Sequence, residues 1–580
     1  MGGGSSHVGH ESLSQKSATN SPKLGAKSPR RLKFSFKRKT SERDQIRPFE
    51  ELIRYWPLSD IDLLLEEFEA DSKLLELQNQ CDFTRKPAKS IAEDLEVAEK
   101  FENPGFFEKF GCQKRLEENL REMQKMDLKN GDLLIQVVEG KSPNSDAFSI
   151  RCSSRIAAAR SPIIRSLLLR KMGNSEKGKT IIFSDLIFPR AFAPLFVSFL
   201  YTDRLDWSLA PKSDDSISSL SQAKAITTNG KSPDLQLARA LKIIEIARFF
   251  EVEKLVQACE DVVIRNLSPD NVVQILQWGR ANNSRYISTH AFRFIEREFS
   301  KIATSSSSNF LELSSQEMEE FTKSQFCQCT ELEMLNACCR WGEFALLRKL
   351  EEREPNLVAD TCHSISRRGL KKSEKSGDEL KEILKPLAEN IRKDYALPPF
   401  HQDLTDAYNK GILEQSPMGQ DLVVCASTSE INPDAHWLKP EQSSAGPRYY
   451  RPYHTALIKH RTLKDPSWTP ATSSGSPPED VDAPEIHLEF QNIYPDILED
   501  SLFLEAQNRI EKRAKLANLA NFGRVFHRKM ALEMITRQTL IELNISEECI
   551  SCRFPSENLE NSGNPTPPPD VVLPGSCDIF

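Results

Sequence analysis

The apolar residues in the middle of the chain follow two periods, which predict a small sheet flanked by helices. The nearly unbroken apolar run at 132–138 is typical of a strand that is buried on both faces. Apolar and polar residues alternate at 148–152, as they do in a half-buried strand. Good helix formers follow at 156–159, and Ser161-Pro162 is a start signal for a second short helix. A third strand and a longer helix complete this pattern.

Helical periodicity dominates the sequence on both sides of this segment. Upstream, residues 51–75 carry apolar side chains at helical spacing, and residues 91–126 are rich in i,i+4 charge pairs that favour helix, with a break at 103–105. Downstream, the same spacing resumes at 238–267 and continues in consecutive helices to residue 350. A polar insertion at 207–235 lacks any hydrophobic period, so we expect a long surface loop there.

The last third of the sequence changes character twice. Residues 418–480 are rich in Pro, Ser and isolated aromatic residues, which predicts an irregular linker. Helical periodicity returns at 498–545, and the Pro-rich stretch after residue 556 predicts a disordered tail.

Several landmarks in the middle segment resemble the BTB/POZ domain family. They are Asp132 before the first hydrophobic strand, the helix junction AAARSP at 157–162, and the segment FVSFLYTDRL at 196–205. The helices that follow resemble the BACK module, which comes after the BTB domain in many adaptor proteins. One departure concerns Ser153-Ser154, which stand where the family usually has a His-Lys pair. That departure affects the charged pocket that the resemblance would imply, and not the fold.

The resemblance implies an α+β fold: a BTB/POZ domain with a small mixed sheet flanked by helices, an all-α BACK-like domain, and disordered tails. The predicted segments are a disordered basic tail at 1–47, a helical pre-BTB region at 48–126, the BTB/POZ domain at 127–267 with a long loop at 207–235, a BACK-like region at 268–415, an irregular linker at 416–484, a C-terminal helical segment at 485–550 and a disordered tail at 551–580. The sequence is similar to a subgroup of BTB–BACK proteins that carries two BTB domains and is associated with epithelial remodelling. Here residues 77–129 are too few for the first of those domains, so we expect a single BTB domain.

Composition narrows the functional classes. The net charge of −7 excludes a globally basic nucleic-acid-binding protein, and we expect no nucleic acid partner. The 34 prolines among 580 residues predict folded parts separated by linkers. Thirteen cysteines are scattered, often within apolar helical patterns, which predicts reduced core residues of an intracellular protein. No apolar run approaches the length that crosses a bilayer.

The N-terminal tail carries the candidate modification and membrane sites. Gly2 fits the N-myristoylation pattern, but a single acyl chain holds a protein at a membrane only marginally. The second signal we consider is a basic and aromatic cluster of Arg30, Arg31, Lys33, Phe34, Phe36, Lys37, Arg38 and Lys39. Such a cluster binds an anionic membrane surface, and it also fits nuclear import. Ser35 lies inside the cluster, where a phosphate would weaken membrane binding.

Motifs for catalysis and for metals lack their required context. Residues 173–180 match the P-loop pattern, but a helix precedes them and a strand follows, which is the reverse of a phosphate cradle. Cys549 and Cys552 form a single CxxC without the second pair that a zinc finger needs. We therefore predict no catalytic residues, no cofactor and no metal.

The predicted function is a non-enzymatic BTB–BACK interaction scaffold, because the resemblance implies self-association and partner binding. The alternative is a substrate adaptor of a cullin-RING ubiquitin ligase, a role that many BTB–BACK proteins have. Those adaptors carry a hydrophobic-x-Glu motif after the second BTB helix, whereas here 169–174 has no Glu and the nearest is Glu176. The expected location is intracellular, in the nucleus or cytoplasm, with membrane association if the tail is acylated.

Overall fold

The computed structural model describes thirteen parts of the chain. They are residues 42–83, 112–139, 147–171, 179–211, 235–305, 309–353, 372–399, 401–414, 437, 446–469, 486–519, 522 and 525–555. Most of these residues are helical, and the strands form two small sheets.

The sheet region, residues 112–265, contains a three-stranded sheet with helices around it. Its elements in chain order are α3 (Cys112–Asn130), β1 (Leu133–Val138), β2 (Phe148–Cys152), α4 (Ser154–Arg160), α5 (Pro162–Lys171), β3 (Lys179–Ser184), α6 (Ala193–Thr202), α7 (Leu235–Phe249) and α8 (Glu253–Arg265). The strand order is β2-β1-β3; β1 pairs with β2 antiparallel and with β3 parallel, so the sheet is mixed.

One face of this sheet carries the core, and the register explains why. Leu133, Ile135 and Val137 of β1 are buried, and Ile135 pairs with Ile150 of β2 and with Ile181 of β3. The alternate residues of β1 are half-buried. The prediction that this strand is buried on both faces is therefore wrong. The second face is apolar in sequence, but neighbouring elements cover it incompletely.

The helical region, residues 268–414, continues the same hydrophobic core. Its helices are α9 (Val272–Ala281), α10 (Arg285–Thr304), α11 (Ser315–Lys323), α12 (Glu331–Arg353), α13 (Lys372–Ala388) and α14 (Gln402–Asn409). A single cluster of buried side chains runs from Leu133 in β1 to Leu413 after α14. The sheet region and the helical region are thus packed as one body.

The terminal region combines helices from both ends of the described chain. Its elements are α1 (Glu42–Ile53), α2 (Leu58–Phe83), α15 (Arg451–Lys464), β4 (Glu489–Asn492), α16 (Asp500–Leu516), α17 (Val525–Glu542) and β5 (Ile550–Arg553). They share a second core in which Phe49 of α1 stacks on Tyr453 of α15 with ring centroids 4.1 Å apart. Phe68 of α2 and Ile535 of α17 are buried in the same core.

Several elements differ from the segments that the sequence predicts. Helix α1 begins at Glu42, inside the predicted tail at 1–47. The helix forms because Phe49 and Ile53 are buried against α15. Helix α15 lies inside the predicted linker at 416–484, where Tyr449, Tyr450 and Tyr453 are core residues. Strands β4 and β5 pair antiparallel, and β5 extends into the predicted tail at 551–580. No helix among the described residues is long and apolar enough to cross a membrane.

Candidate interaction sites

The candidate residues of the N-terminal tail lie outside the described residues. They are Gly2, Arg30, Arg31, Lys33, Phe34, Ser35, Phe36, Lys37, Arg38 and Lys39. Most of the P-loop-like stretch at 173–180 is outside them as well, although its last two residues open β3. These predictions therefore stay predictions, and the sites below are built from other parts of the chain.

A charged cluster forms where β1, α4 and β3 begin. The Asp132 carboxylate accepts bonds from the Ser154 backbone N–H at 2.7 Å and from its hydroxyl at 2.6 Å. Lys179 donates to Asp132 Oδ2 at 3.2 Å and to the Ser154 hydroxyl at 2.8 Å. Desolvation alone would raise the Asp132 pKa, but the hydrogen bonds from Ser154 and Lys179 outweigh it and lower that pKa to about 2.

This cluster contains a lysine although the sequence has Ser153-Ser154 where the BTB/POZ family usually has a His-Lys pair. Ser153-Ser154 replace a His-Lys pair, yet Lys179 from the neighbouring strand supplies a cation beside Asp132. The sequence reasoning missed Lys179, because it assigned this residue to the P-loop-like stretch. Lys179 lies near Asp132 because the parallel register of β1 and β3 places Lys179 opposite Leu133. This register cannot be predicted from the local sequence.

Tyr201 connects α6 to α3 and to the start of α4, next to this cluster. Its hydroxyl donates to Asp127 of α3 at 2.8 Å and accepts the backbone N–H of Ser153 at 2.7 Å. Burial and the Asp127 carboxylate raise the pKa of Tyr201 above its ordinary value, so the phenol stays protonated and donates. The tyrosine of the FLYTD segment therefore has a structural role at the start of α4.

An apolar patch surrounds the end of the edge strand β3. Among the described strands β3 pairs with β1 alone, so its second edge has no strand partner. Ile182 is 59% exposed, Leu186 in the following turn is 89% exposed, and Ile187 is 46% exposed. We call Ile182, Leu186 and Ile187 the β3 patch. Exposed large apolar residues at a strand edge are typical of partner-binding surfaces.

A buried polar junction joins the helical region to the terminal region. The Arg448 guanidinium donates from Nε to Glu331 Oε1 at 2.9 Å, and both side chains are at most 3% exposed. It also donates to the carbonyls of Thr322 and Ser324. The Glu331 carboxylate accepts a further bond from the backbone N–H of Arg392 at 3.1 Å. Desolvation would lower the Arg448 pKa, but Glu331 and neighbouring groups raise it, so the arginine is charged.

A second buried pair extends this junction. Asp71 of α2 lies 3.0 Å from His527 Nε2 of α17, and Gln325 donates to the other carboxylate oxygen at 2.9 Å. The amide of Gln325 also donates to the Pro447 carbonyl at 3.1 Å. Asp71, Gln325 and His527 thus connect α2, the loop before α12, and α17.

Most cysteines in the described part of the chain are buried, and Cys81 and Cys552 are half-buried. Cys327 and Cys338 are buried, and desolvation raises their thiol pKa well above the ordinary value. Cys552 of the CxxC is half-buried, and desolvation raises its pKa to about 12. Protonated thiols are poor nucleophiles and poor metal ligands. Among the described residues, no cluster of His, Cys, Asp and Glu could hold a metal ion.

Comparison with known proteins matches two parts of this architecture. A family model described as "BACK: BTB And C-terminal Kelch" matches residues 272–356, which cover α9 to α12. BTB/POZ domain-containing protein 7 of Homo sapiens is 31% identical over 333 residues, which is 55% of this chain and 28% of the relative. The Mus musculus protein of the same name is 30% identical over 333 residues, with the same coverage.

The matched stretch is thus less than a third of the length of either relative. Domains of this kind generally mediate contacts between proteins. The match of the BACK family model to residues 272–356 and the similarity of 55% of the chain to BTB/POZ domain-containing protein 7 confirm the resemblance to BTB–BACK proteins.

Proposed function

We propose that the chain is a non-enzymatic interaction scaffold in which the sheet region is a single BTB domain. Its β2-β1-β3 mixed sheet and the helix pair α4–α5 support this assignment. Asp132 comes directly before β1, and the AAARSP junction at 157–162 joins α4 to α5, as the resemblance to that family implies. The BACK region at 272–356 follows directly and shares its core with the sheet region. The resemblance extends the proposal to a role in epithelial dynamics and morphogenesis.

The β3 patch carries this proposal. Its three apolar side chains lie at the open edge of a sheet whose inner face is fully used by the core. The occupant we propose is a second copy of the chain, because the family resemblance implies self-association and symmetric pairing of like surfaces is the commonest way to dimerise. A dimer of this kind would present two BACK regions to partner proteins.

Sedimentation of the full chain tests this proposal. We expect a dimer for the wild type at tens of micromolar, the range of weak specific interfaces. Leu186→Asp should be monomeric, since the charge lies in the patch, whereas Leu463→Asp should remain dimeric. Leu463 is 70% exposed on α15, so it controls for an added charge at an exposed leucine. A wild-type monomer, or a Leu186→Asp dimer, would contradict the proposal.

The alternative function is a cullin-RING adaptor. The missing Glu in 169–174 weighs against it, and the exposed Leu169 on α5, 67% exposed, is the observation in its favour. Binding of a purified cullin amino-terminal domain to the full chain, lost in Leu169→Asp, would support the adaptor role. No binding at about 10 μM would contradict the adaptor role and would favour a scaffold that does not act with a ubiquitin ligase.

We also propose that the N-terminal tail sets the location of the scaffold. Myristoylation of Gly2 together with the cluster Arg30–Lys39 would give two membrane signals, and a phosphate on Ser35 would oppose the second. Imaging of tagged Gly2→Ala and Ser35→Asp variants tests this. If both keep the wild-type distribution, the cluster is better interpreted as a nuclear import signal.

A further inference from the structure

A cleft lies at the seam between the sheet, helical and terminal regions. Its volume is about 430 Å³, within the range of roughly 300–1,000 Å³ that ligand pockets have. Residues from α2, α8 and α10, from the loop before α12, and from the first residue of α15 line it. The floor is apolar: Phe326 is buried, and Leu75, Ile264 and Phe294 are half-buried.

Four arginines face this cleft, against one carboxylate. Arg265, Arg293, Arg297 and Arg451 line it, and Glu296 is the acidic residue among the lining side chains. Glu296 is already engaged: Arg293 donates to it at 2.6 Å, and the hydroxyl of Ser324 donates to its other oxygen. Three arginines, at positions 265, 297 and 451, are exposed at the rim. The local charge is strongly positive on a chain whose net charge is −7.

The rim arginines are only weakly neutralised by their own surroundings. Arg297 lies over the Phe294 ring at 5.1 Å, and its ion pair with Glu298 is 3.6 Å long. Arg265 donates from Nε to the Asp261 carbonyl, a neutral acceptor. Among the described residues the Arg451 guanidinium forms no ion pair, and the backbone N–H of this residue donates to Gln328 Oε1.

The position of Arg451 points to an anion. It is the first residue of α15, and the positive end of a helix macrodipole disfavours a cation. An arginine at that place, which lines the same cleft as two other exposed arginines, is unfavourable until a negative group binds there. Guanidinium forks bind carboxylates bidentately, and an apolar floor accepts an aliphatic or aromatic side chain.

We propose that this cleft binds an acidic peptide segment of a partner protein, with an apolar anchor residue flanked by carboxylates. The apolar floor fits the anchor, and the rim arginines fit the carboxylates. A long polyanion such as nucleic acid is disfavoured, because the acidic surface of the remaining chain would repel it. The inference deepens the proposed scaffold function and rests on it, since it names the chemistry of one partner.

Fluorescence polarisation with the full chain tests the cleft. The probe is a fluorescein-labelled peptide EDLFDE, and the matched control peptide QNLFNQ keeps the anchor without the charges. We expect saturable binding of the acidic probe that weakens with added salt, and binding of the control at least about tenfold weaker. The tenfold difference corresponds to about 1.4 kcal/mol at 25 °C.

Two sets of arginine variants assign the binding to this site. R265Q/R297Q/R451Q should bind the acidic probe at least about tenfold more weakly than the wild type. R155Q/R165Q/R170Q removes the same charge from exposed positions of α4 and α5 that do not line the cleft, and should bind as the wild type does. R265E/R451E should instead prefer the peptide KKLFKK, a gain that a misfolded protein could not show.

The contradicting outcomes are equally specific. No saturable binding of EDLFDE up to about 1 mM, equal binding of QNLFNQ, or wild-type binding by R265Q/R297Q/R451Q would each overturn the proposal. Binding of a labelled oligothymidine with no binding of the peptide would assign the cleft to single-stranded nucleic acid instead. Self-association is measured separately by sedimentation, so a failed cleft and a failed scaffold are distinguishable.

Discussion

At the scale of single residues, the Asp132 cluster has a pH dependence whose sign follows from its pKa. The folded-state pKa of Asp132 is lowered to about 2, against about 3.9 for an unperturbed aspartate. A depressed pKa contributes stability above the unfolded pKa, and the contribution is lost as the pH falls towards 2. The Asp132 side chain is 55% exposed, so solvent screening keeps the contribution below about 1 kcal/mol.

We therefore expect Asp132→Asn to lower the free energy of unfolding at pH 7 and to match the wild type near pH 2. Urea denaturation at both pH values measures this difference. Asp378→Asn is the control, since this side chain is 80% exposed with a 3.5 Å ion pair and should have no measurable effect at either pH. A difference that persists near pH 2 would show that packing, and not charge, explains the loss.

The same cluster contains one residue whose role the sequence pattern predicts and one whose role it does not. Asp132 and the Ser161-Pro162 junction were readable from sequence, and Ile164 after that junction is fully buried. Lys179 was not readable as a partner of Asp132, because the pair is 47 positions apart and depends on the strand register. Charged partners across a sheet are set by pairing, which one sequence does not display.

At the scale of elements, two helical glycines have opposite surroundings. A Cβ on Gly342 of α12 would lie 2.6 Å from Leu384 Cδ2 of α13, whereas a Cβ on Gly377 of α13 would meet nothing within 4 Å. Alanine improves helix propensity by about 1 kcal/mol at either site. Overpacking costs about 1–3 kcal/mol, and Leu384 is 1% exposed, so it has little room to move.

We expect Gly342→Ala to destabilise the chain by about 1 kcal/mol net and Gly377→Ala to stabilise it by up to about 1 kcal/mol. Denaturant midpoints of the two variants measured side by side check this. If both variants were stabilised, helix propensity would dominate and the contact between α12 and α13 would be looser than the structure has it.

Elements with strong periodicity were predictable, and elements set by tertiary contact were not. The strands at 133–152 and the helices from 235 to 350 follow their hydrophobic pattern closely. Helix α15 was missed, because Tyr449, Tyr450 and Tyr453 look like isolated aromatics among prolines and serines. Tyr453 stacks on Phe49 and Tyr449 meets Phe68 edge to face, and both phenylalanines lie far away in the sequence, in α1 and α2.

At the scale of the whole molecule, the two ends of the described chain meet in one core. Asp71 and His527 are 456 positions apart and touch at 3.0 Å. The loop before α12 lies between this pair and Arg448, so the terminal region is connected to the helical region through buried polar groups. Sequence periodicity is local and gave no indication of this closure. For this reason the sequence pattern predicts a linker at 416–484, where the structure has α15.

Arg448 and Glu331 form an almost fully buried ion pair within this closure. Arg448→Met leaves the Glu331 carboxylate buried without its cation, and removal of one partner of a buried ion pair costs about 3–5 kcal/mol. We expect a loss of that size in the free energy of unfolding, measured in urea. Arg509→Met is the control, because its pair with Glu505 is about half exposed and should contribute less than about 1 kcal/mol.

The double variant Arg448→Met/Glu331→Met decides whether the loss comes from charge. In the double variant the apolar replacements fill the space and the Glu331 carboxylate no longer lies buried without Arg448, so the double variant should be more stable than Arg448→Met alone. The carbonyls of Thr322 and Ser324 still lose their donor, which leaves it below the wild type. A double variant as unstable as the sum of both single variants would mean that the two side chains act independently, and that the junction is held by its aromatic packing instead.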